Sequence, residues 1–222
     1  MASLTFLSFL NVSAEEQATA YKSQFGQDKY VNEHFFKNKR DGIFVEIGAF
    51  DGVSLSNTYF FEKELGWQGI CVEPIPEKFN LLQKNRSCIC IQGCISNFDG
   101  KALFAEVPGN EVLSGLSVKY DPRHIHRIQS EGGKFKYYEI DCFTPKTIFE
   151  KFNISHIDFL SIDTEGGEFD ILSSINLKEI DVDVITIEVN YSDDRRIYNY
   201  LTSHGYQFVQ QLRCDELYKK IR

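Results

Sequence analysis

Phe-Val-Glu-Ile-Gly-Ala-Phe-Asp-Gly, residues 44–52, is the stretch that most directly predicts how this chain folds. An apolar β-type run ends at Gly48 and Gly52 follows, so a strand should turn tightly into a helix and let a ligand approach the backbone. The spacing differs from the dinucleotide fingerprint G-x-G-x-x-G. Glu46 and Asp51 flank the turn, and their carboxylates oppose a pyrophosphate but suit a positively charged ligand. An ordinary strand–turn–helix junction is the alternative for this stretch taken alone.

Similar apolar runs recur along the chain and alternate with helix-like segments. Further strands are predicted at 69–74, 88–96, 101–107, 135–140, 157–163, 182–189 and 206–212, and helices at 55–65, 77–85, 145–152, 168–174 and 195–203. This alternation predicts an α/β fold: a doubly wound, mostly parallel sheet with helices on both faces and an antiparallel C-terminal edge strand. Ligands of such sheets bind beyond the carboxyl ends of the strands.

Acidic residues stand at two more strand ends. Glu73 follows Glu46 by 27 residues and closes the strand before Pro74. A carboxylate at this position is suited to hold a ribose diol, because it accepts two hydroxyl donors. The run 162–168, IDTEGGE, places Asp163, Glu165 and Glu168 beside two glycines. Such crowding is costly unless a cation or a proton transfer uses it, although Glu168 at a helix start also complements the helix dipole.

Composition excludes several classes of protein. The formal net charge is −8, which disfavours unassisted nucleic-acid binding. No apolar run reaches the ~20 residues of a membrane span; the longest stretch, residues 4–10, is short. The six cysteines lie mostly in strand-like runs, and the spacing of Cys88, Cys90 and Cys94 is not that of a zinc site. Reduced thiols, and therefore a cytoplasmic location, are expected.

Taken together, these motifs resemble the FkbM family of S-adenosylmethionine-dependent methyltransferases, which have a class I, Rossmann-like fold. The resemblance runs over residues 23–218. It rests on the order and spacing of SQFGQD at 23–28, FVEIGAFDG at 44–52, SNT at 56–58, GWQGICVEP at 66–74, NR at 85–86, DFLSIDTEGGE at 158–168, IEVN at 187–190 and GY at 205–206. Gly167 departs from the family, which more often has Ala there.

The resemblance implies a cofactor site and a domain plan. Residues 23–222 would form one methyltransferase domain after an N-terminal extension, 1–22. Gln24, Gln27 and Asp28 would cover the cofactor, Glu73 and Pro74 would hold its ribose, and Cys94 and Ser96 would border its adenine. Asn57 would orient the first helix or touch the cofactor. The methionine part would be held by Glu46, Gly48, Ala49, Asp51 and Gly52, with Asp163 nearby.

The implied reaction is O-methylation of a sugar hydroxyl in a glycan, a glycolipid or a deoxysugar such as rhamnose or fucose. The protein would then act on a carbohydrate acceptor, within a larger glycan-synthesis polypeptide or complex. A general base should accelerate transfer by roughly 10²–10⁴-fold. Asp163 or Glu165 is the expected base, with Glu168 beside the acceptor and His124 and His126 as rival bases.

Residues 108–136 are predicted to be an inserted, lid-like segment that faces the acceptor. The segment has a local basic excess, and Arg123 and His126 are expected to contact substrate together with Glu165. A solvated excursion without a role is the alternative.

Three other functions stay open. Oxygen ligands at Asp163, Glu188 and Asn190 would suit Mg²⁺, which could assist methylation of a sugar or of a non-sugar small molecule; this metal is not the favoured reading. A nicotinamide-dependent oxidoreductase is disfavoured by the glycine pattern. A catalytically silent cofactor-binding module is the third.

Overall fold

The computed structural model describes residues 20–222. Eleven strands and seven α-helices are formed among these residues. The strands are β1 (Ile43–Ile47), β2 (Gln68–Glu73), β3 (Ile89–Gln92), β4 (Cys94–Ile95), β5 (Gly100–Glu106), β6 (Gly115–Leu116), β7 (Lys136–Phe143), β8 (His156–Ile162), β9 (Asp181–Glu188), β10 (Tyr206–Leu212) and β11 (Asp215–Lys220). The helices are α1 (Gln27–Val31), α2 (Tyr59–Leu65), α3 (Pro76–Asn85), α4 (Pro122–Ser130), α5 (Pro145–Lys151), α6 (Glu168–Ser174) and α7 (Arg196–Ser203). The apolar stretch 4–10 and most of the predicted extension 1–22 lie outside the described residues.

The main sheet has seven strands in the order β10-β11-β9-β8-β1-β2-β3. The strands β9, β8, β1, β2 and β3 run parallel, and β11 runs antiparallel to both of its neighbours, β9 and β10. The chain order reverses between β1 and β8, which is the switch point where such sheets open a crevice. The predicted α/β class, the mostly parallel sheet and the antiparallel C-terminal edge are confirmed.

Apolar side chains cover both faces of this sheet. Val45 and Ile47 of β1 belong to one cluster, whereas Phe44 belongs to the other. Side chains alternate along a strand, so Glu46 lies on the same face as Phe44. A carboxylate is thereby carried into the interior, and Glu46 is only 2% exposed. Its neighbours must satisfy it.

A second, smaller sheet has the order β4-β7-β5-β6. The single strand predicted over 88–96 is wrong in this respect: it divides at Gly93 into β3 and β4, which belong to different sheets. Gly93 has φ +147°, and a Cβ there would lie 2.7 Å from the Asp141 carbonyl oxygen. After the break, Cys94 belongs to β4, which lies at one edge of the smaller sheet.

The segment 108–136 connects β5 to β7 and contains a 3-10 turn, β6 and α4. Its lid role and the boundary after residue 22 stay predictions. Within residues 20–222, no helix combines the length and apolarity that crossing a membrane requires. All six cysteines are free thiols.

Candidate functional site

A cavity of about 390 Å³, here the main cavity, lies beyond the carboxyl ends of β1, β2, β8 and β9. Ligand sites typically span ~300–1,000 Å³. Six carboxyl groups and three basic side chains line it. Among the residues singled out in the sequence, the cavity brings together Gln24, Glu46, Gly48, Ala49, Asn57, Glu73, Pro74, Cys94, Asp163, Glu165, Glu188 and Asn190.

Gly48 joins three strand ends at the floor of this cavity. Its N–H donates to the Val72 carbonyl at 3.0 Å, and the Asp163 N–H donates to the Ile47 carbonyl at the same distance. Gly48 has φ +91°, and a Cβ would lie 1.8 Å from the Asp163 carbonyl oxygen. The turn therefore needs a residue without a side chain. What approaches closely is the Asp163 backbone, whereas the sequence analysis expected a ligand.

Glu46 shapes the loop that forms one wall of the cavity. Its oxygens accept hydrogen bonds from the Ser56 hydroxyl, the Asn57 N–H at 2.6 Å and the Thr58 hydroxyl at 2.7 Å. Arg86, with a fully buried side chain, lies 3.4 Å away. These contacts consume most of the acceptor capacity of the carboxylate. They also delay the helix predicted from residue 55, which begins at Tyr59 because the preceding loop wraps around Glu46.

Asn57 retains an unused acceptor in the cavity wall. Its Nδ2 donates to the Ser161 hydroxyl at 2.9 Å. Its Oδ1 is buried and has no hydrogen-bond partner within residues 20–222. A buried acceptor without a partner costs ~1–3 kcal/mol, which a ligand with an N–H or O–H donor would recover.

Glu73 lies at the end of β2 and is 4% exposed. One carboxylate oxygen accepts the Phe50 N–H and the other accepts the Ile75 N–H, each at 2.8 Å. Burial raises the pKa of Glu73 to about 8. Each oxygen keeps a further lone pair, so a vicinal diol in the cavity can still donate to both.

Three carboxyl groups converge at the ends of β8 and β9. One ligand oxygen from each of Asp163, Glu165 and Glu188 lies within 4.8 Å of the others. Burial, followed by neighbouring carboxylates, raises the pKa of Asp163 to about 8 and that of Glu165 to about 9. The pKa of Glu188 is raised by the same causes, and its Oε2 has no partner in the described part of the chain. Asn190 Nδ2 donates to Glu165 at 3.4 Å.

His124 approaches this cluster from α4. Its Nε2 lies 3.1 Å from the Leu113 carbonyl oxygen, and its Nδ1 lies 3.5 Å from Glu165 Oε2. A carbonyl oxygen only accepts, so Nε2 carries a proton and donates. Nδ1 is then the ring nitrogen that faces the Glu165 carboxyl group. His124 lies outside the main cavity wall, but it contacts the carboxyl group that the sequence favoured as a base.

Several predicted ligand residues do not line the main cavity. Asp51 accepts from the Val53 and Ser54 N–H groups at 2.9 and 2.7 Å, so it closes its own turn. A Cβ at Gly52 would meet Leu82 and Arg86, which shows that this glycine packs against α3. Ser96 is buried next to Cys94 but is absent from the cavity wall. The direct cofactor contacts expected of these three residues do not fit these positions.

The predicted acceptor-facing residues also need correction. Glu168 accepts from the Thr164 N–H and hydroxyl and from the Gly166 N–H, all at 2.9 Å, so it shapes the loop before α6. Arg123 pairs with Asp193 at 3.0 Å and stacks on Tyr191, outside both cavities. His126 is exposed on α4 and lines neither cavity. Residues two apart on a helix face different directions, so His126 points to solvent while His124 is buried.

Sequence reasoning missed the buried Arg86. Its guanidinium bonds to Glu62 at 2.6 Å and to the Thr58 hydroxyl at 2.9 Å, besides the contact with Glu46. Neighbouring anions raise the pKa of Arg86 above its already high value. The sequence singled out Asn85-Arg86 only as a motif, and with Lys84 two residues earlier a basic residue here gave no signal of burial. Arg127 of α4 was missed as a lining residue.

The N-terminal residues cover one side of the main cavity. Gln24 and Phe25 line it. Gln27 Nε2 donates to Asp215 on β11, and Asp28 accepts from the Ser23 N–H at 3.1 Å. Gln27 and Asp28 are buried and hold the cover in place, whereas Gln24 faces the cavity.

Solved structures similar to this chain include three methyltransferases, of which the first agrees with this architecture. The crystal structure of Methyltransferase FkbM from Methylobacillus flagellatus KT is 14% identical, with a TM-score of 0.52 over 92% of this chain and 57% of that chain. The N-terminal domain of human METTL16 in complex with SAH is 12% identical, with a TM-score of 0.44 over 88% of this chain and 67% of that one. The precorrin-6y C5,15-methyltransferase from Geobacter metallireducens GS-15 is 10% identical, with a TM-score of 0.43 over 97% and 93%. At 14% identity, the similarity to the M. flagellatus structure shows a shared fold and nothing further.

This chain thus spans 57% of the length of the M. flagellatus structure. Comparison with curated proteins finds no significant match. The sequence profile described as the Methyltransferase FkbM domain matches residues 46–208. That range extends from the buried carboxylate of β1 to β10 and includes the carboxyl cluster of the main cavity. Because the match covers well over half of the chain, the chain belongs to the FkbM-domain family of methyltransferases.

Proposed function

We propose that this protein is an S-adenosylmethionine-dependent O-methyltransferase that methylates a sugar hydroxyl. The observation that carries the proposal is the main cavity: six carboxyl groups against three basic side chains, with Glu73 buried at the end of β2. A nucleoside that carries a sulfonium and an ammonium group stabilises the ionised form of these buried carboxyl groups. The diphosphate of a nicotinamide dinucleotide opposes their ionisation.

The residues present fit this cofactor. The Gly48 turn lets a ligand approach the backbone, and the unpartnered Oδ1 of Asn57 accepts a donor such as the ammonium group. Glu73 holds the ribose diol. Cys94 and Ile95 line the side of the cavity next to β4, where the adenine would lie. When bound, the cofactor supplies an electrophilic methyl group and leaves as a neutral thioether.

Glu165 and His124 supply the proton acceptor. A sugar hydroxyl must lose its proton as its oxygen forms the new bond to carbon, and Glu165 takes that proton on a carboxylate oxygen. His124 Nδ1, 3.5 Å away, shares the proton and disperses charge. Burial and neighbouring carboxylates raise the pKa of Glu165 to about 9, so its ionised form, which is the form that accepts the proton, is a stronger base than an exposed carboxylate. Asp163 is the alternative base, from the same cluster.

The acceptor class and the setting belong to the same proposal. A neutral sugar suits a cavity lined by six carboxyl groups better than a phosphorylated one does, because a phosphate would oppose their ionisation. The free thiols support a cytoplasmic location. We also propose, from the family resemblance alone, that the protein acts within a larger glycan-synthesis polypeptide or complex.

A divalent cation is the second candidate for the carboxyl cluster. The convergence of Asp163, Glu165 and Glu188 within 4.8 Å offers the oxygen ligands that Mg²⁺ takes. Glu165 joins Asp163 and Glu188 of the predicted set, and Asn190, which donates to Glu165 at 3.4 Å, lies beside them. A bound cation would lower the pKa of the acceptor hydroxyl and serve a sugar or a non-sugar alcohol. Turnover that survives exhaustive chelation excludes it.

Calorimetry and turnover test the proposed function. S-adenosylhomocysteine should bind the protein and NAD should not. Glu73→Gln should weaken the binding of S-adenosylhomocysteine by about tenfold, because one acceptor oxygen for the diol is lost. Ser96→Ala, next to the cavity but outside its wall, is the control and should bind normally. Binding of NAD alone would refute the proposal. Binding without methyl transfer to any of a broad panel of glycans would favour the catalytically silent module.

A further inference from the structure

A second cavity, of about 150 Å³, lies beside the main cavity. Lys119, Glu165, Glu188 and Asn190 line both, so the carboxyl cluster forms the partition between them. Oε2 of Glu188, which has no hydrogen-bond partner within residues 20–222, belongs to this partition, and Glu188 is 5% exposed. A buried oxygen of this kind at the wall of two cavities is open to a hydrogen bond from a ligand.

The wall of the second cavity combines aromatic rings with hydrogen-bonding groups. Tyr120, Phe169 and Tyr191 provide the rings. Arg196 stacks on Phe169 at 4.9 Å and pairs with Asp194 at 2.7 Å. Rings offer an apolar surface to the C–H face of a sugar, while carboxylates accept from the hydroxyls at its edge. Both kinds of contact are available here.

The charge of the second cavity narrows the ligand further. Five carboxyl groups line it, against the basic side chains of Lys119 and Arg196 and the ring of His124. Each of the two cations is already paired, Lys119 with Asp170 and Arg196 with Asp194. A phosphate or carboxylate on the ligand would therefore meet net negative charge. A neutral or amino sugar would not.

Arg123 joins the two sides of this cavity. Its guanidinium lies 3.6 Å from the ring centroid of Tyr191 and 3.0 Å from Asp193, in the loop after β9. It also bonds Asp121, which caps α4 through the Arg123 N–H at 2.8 Å. The cavity wall includes Asp121 on one side and Tyr191 on the other. The Arg123 side chain thus holds α4 against that loop.

We propose that the second cavity is the acceptor subsite for a single uncharged or amino sugar ring, with Arg123 as a positioning residue that holds its two walls together. The ring would lie on Tyr191 and Tyr120, and one hydroxyl would reach Glu165 through the partition. S-adenosylmethionine would occupy the main cavity at the same time, so this inference rests on the proposed function. It assigns Arg123 an indirect role in place of the substrate contact predicted from sequence.

Saturation-transfer NMR on the full chain with S-adenosylhomocysteine tests the proposal. The ligands are methyl glycosides of glucose, galactose, mannose, fucose, rhamnose and glucosamine, with glucose 6-phosphate as the charged comparison. At least one methyl glycoside should bind, and glucose 6-phosphate should not. Tyr191→Ala and Arg123→Ala should each weaken the binding of the sugar by about tenfold. Tyr191→Ala removes an aromatic contact to the ring, and Arg123→Ala removes the cation–π contact that holds Tyr191 in place.

Arg195→Ala is the matched control, because Arg195 stacks on Tyr198 at 3.9 Å but lines neither cavity. S-adenosylhomocysteine affinity should be unchanged in all three variants. The acceptor assignment is overturned if no glycoside binds the loaded protein, or if Arg123→Ala and Tyr191→Ala behave like Arg195→Ala. Failure of the wild-type protein to bind S-adenosylhomocysteine would instead refute the proposed function.

Discussion

Replacing Gly48 with alanine tests the packing on which the main cavity depends. The new methyl group would be placed 1.8 Å from the Asp163 carbonyl oxygen, and the backbone has φ +91°. Alanine with positive φ costs about 1–2 kcal/mol. Relieving an overlap in a packed interior costs about 1–3 kcal/mol more. The sum, about 2–5 kcal/mol, predicts a fall in Tm of about 4–20 °C for a domain of this size.

Gly109 offers a matched control for this experiment. Its φ is +86°, but a Cβ there would meet nothing within 4 Å. Gly109→Ala should therefore show the conformational cost alone, about 1–2 kcal/mol, or about 2–8 °C. The difference between the two variants isolates the overlap with Asp163. Because relief of that overlap moves the strand ends apart, Gly48→Ala should also weaken S-adenosylhomocysteine by about tenfold or more, and Gly109→Ala should not.

Differential scanning fluorimetry and calorimetry on the two purified variants give both quantities. Equal Tm values for Gly48→Ala and Gly109→Ala, with wild-type affinity for S-adenosylhomocysteine in each, would refute the reasoning.

Three further predictions concern Glu73, Glu165 and Arg86. Burial raises the pKa of Glu73 from 4.5 to about 8, so between these pH values the folded ligand-free protein holds a proton that the unfolded chain has lost. The free energy of unfolding should therefore fall as pH rises from 5 to 8. The accompanying fall in Tm should be smaller in Glu73→Gln. An equal fall in both proteins would contradict this. Glu165→Gln should lower kcat by about 10²–10⁴-fold on any sugar that the protein methylates, with little change in affinity for S-adenosylhomocysteine. Transfer of a radiolabelled methyl group measures kcat. Turnover at the wild-type rate would exclude Glu165 as the base. Arg86→Met should leave Glu46 and Glu62 buried without their cation and cost about 3–5 kcal/mol in urea unfolding; a wild-type midpoint would argue against the network.

The strand ends were well predicted because their signals are local. The glycines at 48 and 52, the apolar runs and the terminal carboxylates are read within a few residues each. The carboxyl ends of parallel strands meet at one sheet edge, so Glu73, Asp163 and Glu188 were expected near one another, and the main cavity brings them together. The family resemblance was found from the same spacing.

The roles of individual side chains were harder to predict. Glu46 was expected to bind a ligand, but strand alternation directs it to the face where Ser56, Thr58 and Arg86 satisfy it. Asp51 and Gly52 belong to the same motif, yet the turn directs both away from the cavity. Which residue of a turn faces a ligand depends on backbone angles that motif spacing does not specify.

The chain's sequence alone determined the alternating strands and helices, the glycine turn and the acidic strand ends, because these follow from residue type and short-range periodicity. Only the tertiary structure decided that strand 88–96 divides at Gly93 and that His124 meets Glu165. It also decided that Arg123 joins α4 to the loop after β9. Each of these contacts joins residues far apart in the chain, and their distances follow from the packing of whole elements, which no local pattern encodes.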